Sequence, residues 1–188
     1  MIYLEGKCNM IAVYIILGLL LIIAIWYIST SNRINRCLVK IDEASSGIDV
    51  SLTKRYDVLT KMIETVKGYA KHEKETLFEV VNLRKNMTFD EKQKASTAMD
   101  KNLHQIHVLA EQYPELKASE NFNTLQKAIV EVEEHLQAAR RMYNSNVSIL
   151  NQMLVTFPDK IVANMKHIEK KQFFEAEEAK KEDVKIEF

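Results

Sequence analysis

Two hydrophobic patterns divide the chain. From Met10 to Ile28 the sequence reads MIAVYIILGLLLIIAIWYI, 19 residues without a charge. Beyond it, apolar or small residues recur every three or four positions, the spacing of one buried helix face. The first such stripe is Leu38, Ile41, Ser45, Ile48, Leu52, Leu59, Met62 or Ile63, Val66, Tyr69 or Ala70, Leu77 and Val80. Only Gly47 and Gly68 interrupt residues 29–86, so the stripe predicts one helix running to about Asn86.

Thr88-Phe-Asp-Glu91 fits a capping box, in which the Thr side chain and the Glu carboxylate each satisfy a free backbone N–H. It opens a second predicted helix with the stripe Ala95, Met99, Leu103, Ile106, Ala110 and Tyr113. Pro114 ends that helix, because the residue before a proline avoids helical geometry. Ser119 is the natural N-cap of a third, with the stripe Phe122, Leu125, Ile129, Val132, Leu136, Ala139, Tyr143, Val147, Leu150 and Leu154. Phe157-Pro158 breaks it, and a short fourth helix carries Ile161, Val162, Met165 and Ile168. From Glu169 to Phe188, Lys and Glu clusters predict a solvated, flexible tail.

One amphipathic helix cannot bury its own stripe. The expected fold is therefore all-α: an N-terminal transmembrane helix, then an antiparallel up-and-down bundle of three long helices and one short one. The expected divisions are a short extracytoplasmic N-terminus (1–9), the membrane helix (10–28), the bundle (29–168) and the charged tail (169–188).

A 19-residue helix spans ~28 Å, close to the hydrocarbon core of a bilayer. Trp26 and Tyr27 sit at its end, where an interfacial aromatic belt belongs. A cleaved signal peptide would carry a shorter apolar core and a small-residue cleavage site, and none follows Ile28. Arg33, Arg36 and Lys40 follow the run, whereas Lys7 beside Glu5 precedes it. The positive-inside bias puts the N-terminus outside and the bundle in the cytoplasm. A start at Met10 would remove Lys7 and sharpen that bias.

Composition changes the picture in two ways. Gly 4 and Pro 2 leave little turn punctuation, which excludes a β-rich fold. A net charge of zero carries no basic footprint, so no nucleic-acid partner is expected. Cys8 and Cys37 flank the apolar run and are not a disulfide pair; Cys37 is either a plain thiol or a juxtamembrane acylation site.

Chemistry is sparse. His104, His107 and Glu111 share a helix face but lack further ligands from elsewhere, so no metal is expected. Glu133-Glu134 and Glu177-Glu178 are adjacent and point apart on a helix. There is no phosphate loop, nucleophile elbow or Cys–His arrangement. Neither catalysis nor a cofactor is expected.

The informative polar residues lie on or beside the stripes: Arg55 and Glu73 on the first helix, and Arg140, Arg141, Tyr143, Asn144 and Asn151 on the third. A buried polar group without a partner costs ~1–3 kcal/mol, so these residues are expected to satisfy one another across the first and third helices. Such a seam either fixes register, as a core Asn does in coiled coils, or receives a ligand.

The stretches IDVSLTKRYDVLTKMIETVKGYAKHE (48–73) and YPELKASENFNTLQKAIVEVEEHLQAARRMYNSNVSILNQMLVTFP (113–158) closely resemble the LemA family of bacterial membrane proteins. The resemblance runs from the N-terminal anchor to FFE at 173–175, and rests most on Arg141-Met-Tyr-Asn144, Asn151 and Phe157-Pro158. It implies a single-pass bacterial membrane protein with a bundle of about four helices and a poorly defined role. It departs at Thr60, where many members carry Pro, which implies an unkinked first helix. The expected function is a non-enzymatic scaffold or interaction protein at the cell membrane, its partners being the lipid bilayer, unidentified proteins and a further copy of itself. The alternatives are a sensory module holding a small ligand in the polar layer, or an accessory partner of a membrane metalloprotease.

Overall fold

The computed structural model describes residues 2–69, 78, 79, 81, 83 and 87–174. Among them are five helices and no strand: α1 (Ile2–Tyr69), α2 (Phe89–Gln112), α3 (Pro114–Lys117), α4 (Glu120–Val155) and α5 (Asp159–Met165). The all-α class is as expected. The apolar run and the first bundle helix are one continuous helix, unbroken at Thr60, whose hydroxyl donates to the Tyr56 carbonyl at 2.8 Å.

The helix starts follow the local chemistry. Thr88 and Glu91 form the capping box, with Thr88 N–H donating to Glu91 Oε2 at 2.7 Å and Glu91 N–H to Thr88 Oγ1 at 3.3 Å. Ser119 Oγ accepts from Phe122 N–H at 3.5 Å at the entry to α4. α5 ends in a left-handed turn: His167 has φ 51°, its N–H reaches the Asn164 carbonyl, and Ile168 N–H reaches that of Ala163. Those two bonds form a Schellman motif, with His where Gly is usual.

The chain divides into two compact units. In one, residues 42–144 with the segment beginning at Phe173, the core is built from Leu59, Met62 and Val66 of α1, Met99, Ile106 and Leu109 of α2, Leu116 of α3, and Phe122 and Ile129 of α4. These are the predicted stripe positions, together with Leu109 and Leu116. Fully burying one such side chain stabilises by ~1.5–3 kcal/mol. Gly47 faces Ala139 and Arg55 faces Glu133, so α4 runs antiparallel to α1. Lys92 bonds Asp49 while Arg55 bonds Asp100, so α1 and α2 point the same way.

That direction depends on what happens after α1. The helix expected to reach Asn86 has its described end at Tyr69, and Phe78, Glu79, Val81 and Leu83 are not helical. Phe78, Val81 and Leu83 pack against the core instead. At these described positions the apolar spacing is met by non-helical backbone, which periodicity alone does not distinguish from a helix.

In the other unit, residues 1–41 with 145–172, Ile34, Cys37 and Ile41 are buried together with Val147, Leu150, Leu154, Val162 and Ala163. Cys37 Sγ donates to the Asn146 carbonyl at 3.4 Å, and Asn146 Nδ2 donates to the Lys40 carbonyl at 3.4 Å. Arg33 is ion-paired with Asp159, and Lys166 Nζ donates to Asn35 Oδ1 at 2.9 Å. Of the apolar residues read on the short helix, Val162 is buried, together with Ala163, whereas Ile161 and Met165 are exposed. Upstream, the apolar side chains from Val13 to Ile25 are exposed, on a helix long and apolar enough to cross a membrane.

Candidate functional site

The polar layer centres on Arg55, among the described residues the largest side chain that is fully buried, at 1% exposure. α1 carries it inward at a stripe position, one turn from Leu52 and Leu59. Its guanidinium is ion-paired with Asp100 of α2. The same nitrogen lies 3.1 Å from Glu133 Oε2 of α4, without hydrogen-bond alignment, so that attraction is ionic. The other terminal nitrogen donates to the carbonyl and hydroxyl oxygens of Ser96, both at 3.4 Å. Arg140 of α4 also donates to the Ser96 hydroxyl. Two arginines thus meet two carboxylates around one serine, a charge-balanced cluster shared by three helices.

An aromatic group adjoins it. The Arg140 guanidinium lies 4.8 Å from the centroid of the Phe174 ring. Phe89 meets Phe174 edge-on at 5.2 Å and stacks on Tyr143 at 5.8 Å. Burial pushes the Tyr143 phenol above its ordinary range, and the Asp42 carboxylate adds to the effect.

Asn144 reaches back to the C-terminal segment. Its Nδ2 donates to the Phe174 carbonyl at 2.9 Å and its Oδ1 accepts from the Phe174 N–H at 2.7 Å. A side-chain amide supplies one donor and one acceptor side by side, which matches the N–H and C=O of an extended residue. Asn151 holds Lys171 in the same way, at 2.9 and 3.0 Å. Asn102, on α2, holds Glu79 at 2.8 and 2.9 Å. Three asparagines therefore clip non-helical backbone onto helices.

The expected seam is thus redistributed. Arg55 is answered by Asp100, Glu133 and Ser96, not by Tyr143, Asn144 or Asn151, because α2 packs beside it. Arg140 joins the Arg55 cluster through Ser96, and Tyr143 packs among aromatics. Asn144 and Asn151 hold backbone, so the segment from Glu169, expected to be solvated, is fixed at Lys171 and Phe174, with Phe174 buried. Arg141 is exposed, and Glu73 lies outside the described residues. Sequence reasoning missed Ser96 and Asn102, although both stand one turn from Met99 on the α2 stripe. The test applied to the other two helices would have found them. Asp100, Glu133, Phe89 and Phe174 carried no comparable signal.

At the centre of the cluster both terminal guanidinium nitrogens of Arg55 are turned on protein groups of the layer, Ser96, Asp100 and Glu133. A solvent-open concavity of about 560 Å³ lies elsewhere, lined by residues that include Glu79, Asp90, Lys94 and Lys101 and not by Arg55. His104 and His107 are exposed, and the described residues contain no group of three or more His, Cys, Asp or Glu side chains able to hold a metal.

Comparison with known proteins yields two findings. The family model described as LemA family matches residues 44–188. Protein LemA of Metamycoplasma hominis is 29% identical over 179 residues, covering 91% of this chain and 82% of the relative.

Proposed function

We propose, since this chain belongs to the LemA family, that it is a single-pass membrane protein whose helical domain is a non-catalytic scaffold on the cytoplasmic face. The observation that carries this reading is the contrast between the two ends of α1. Its apolar side chains from Val13 to Ile25 are uncovered by protein, whereas the buried charge of Arg55 is answered by Asp100, Glu133 and Ser96. Uncovered apolar surface of that length needs a bilayer. A buried, charge-balanced cluster whose central guanidinium is already held by Ser96, Asp100 and Glu133 favours structural use over sensing. The scaffold role itself rests on the long faces of α2 and α4, which suit partner helices or a second copy of the chain.

Thiol labelling tests the topology. In intact cells a membrane-impermeant maleimide is expected to label Cys8 and to spare a Lys127→Cys variant until the membrane is opened. Labelling of Lys127→Cys in sealed cells would overturn the cytoplasmic assignment. For the scaffold role, crosslinking in native membranes is expected to give discrete adducts with a defined set of proteins. Adducts that merely track protein abundance would contradict it.

A further inference from the structure

The corner between α4 and α5 exposes apolar side chains where a folded unit has no internal use for them. Phe157 is 83% exposed, and Val155, Ile161 and Met165 are also open to solvent. Ile161 and Met165 are four apart on α5 and share one face. We propose that this corner is a membrane-interface wedge, with Phe157, Ile161 and Met165 seated among the lipid headgroups beside the emerging anchor. The proposal rests on the reading of residues 10–28 as a membrane helix.

Register within this unit locates the corner. Asn146 is level with Cys37 and Lys40 of α1, and α4 runs antiparallel to α1 there. Nine residues further along α4 is Val155, which falls level with nine residues back along α1, between Ile28 and Ser31. Phe157 is therefore level with the end of the apolar run, where the belt residues Trp26 and Tyr27 stand. The ion pair of Arg33 with Asp159 and the bond of Lys166 to Asn35 set α5 ~7.5–10 Å past Ile28, at headgroup depth. Thr30, next to the end of the run, is already buried.

Charge agrees with a lipid occupant. Lys160, Lys166, Lys170 and Lys171 lie on α5 and the segment that follows it, and Arg33, paired with Asp159, and Arg36 lie on α1. Against them stand Asp159, already taken by Arg33, and Glu169. Apolar side chains interspersed with lysines are the composition of an interfacial segment attracted to anionic headgroups.

The test uses the full chain in vesicles of phosphatidylcholine and phosphatidylglycerol, with and without acyl-brominated lipid as a contact quencher. Trp26 is the sole tryptophan. Wild type reports the anchor, and Phe157→Trp or Met165→Trp in a Trp26→Phe background reports the wedge. Brominated lipid is expected to cut emission roughly twofold or more at 26, 157 and 165, and to leave Val130→Trp, made in the same background, unchanged. Quenching at 26 but not at 157 or 165 would overturn the wedge and leave the anchor standing, as when a protein or a second copy covers the corner instead. Loss of quenching at 26 as well would overturn both. Equal quenching at 130 would mean non-specific adsorption and would also overturn the wedge.

Discussion

Asn144 binds both backbone groups of Phe174, 30 residues away, and so does for the C-terminal segment what a neighbouring strand would do. The pairing explains why a helix tolerates Asn on its inner flank. Asn is a mediocre helix former, but here its amide closes two backbone groups that the partly covered segment would otherwise leave short of partners. Asn144→Ala is expected to cost ~1–3 kcal/mol, two hydrogen bonds' worth. Hydrogen exchange checks it: the Phe174 amide should lose protection while the Met99 and Ile106 amides keep theirs.

The α5 turn gives a prediction of opposite sign. His167 occupies the left-handed region, where a Cβ costs roughly 1 kcal/mol and glycine pays nothing. His167→Gly should raise stability by about that amount, and His167→Val should lower it, both read from chemical denaturation of the detergent-solubilised chain.

Cys37 is expected to behave as an inert thiol. It is buried, donates to the Asn146 carbonyl, and its pKa is raised from 9.0 by burial, against a smaller opposing pull from Lys40. At neutral pH its alkylation should be at least about 100-fold slower in the folded chain than after unfolding, since the thiolate is the nucleophile. Mass-resolved maleimide kinetics measure this, and the same burial argues against acylation at Cys37.

Tyr143 adds a pH dependence. Its folded pKa lies above the ordinary 10.0, first through burial and then through Asp42. The folded state thus holds the proton more tightly than the unfolded chain, so this contribution is intact below that ordinary value and is lost as pH rises past it. Tyr143→Phe removes the titration. Its Tm should therefore fall less than that of wild type between about pH 8 and about pH 10.5.

Much of the fold was legible because helix stripes, caps and prolines are local signals. The third stripe maps onto α4 almost position for position, and Thr88, Glu91 and Ser119 cap as their chemistry requires. What was illegible depends on choosing a partner across space. Leu77 and Val80 continued the helical spacing while the described residues beyond Phe78 left the helix. The Asn102 contact to Glu79 that holds that departure is invisible until α2 is placed. Arg55 advertised itself as buried, yet nothing local singled out Asp100 and Glu133 among 26 acidic residues. The candidate site was therefore half read: Arg55 of α1 and Arg140 of α4 were found, whereas Ser96 and Asp100 of α2 and Glu133 of α4 were not.

The central claim is that the polar layer is internal structure and not a ligand site, and a double-mutant cycle on Arg55→Met and Asp100→Leu tests it most directly. Each single change leaves a buried charge short of its partner, whereas the double change removes both together. The account predicts that Asp100→Leu alone destabilises by about 3 kcal/mol, and that the double variant recovers most of that loss, a coupling of at least about 2 kcal/mol. Additive single effects with no coupling would mean that the guanidinium and carboxylate are not paired, and would return the layer to the candidates for ligand binding.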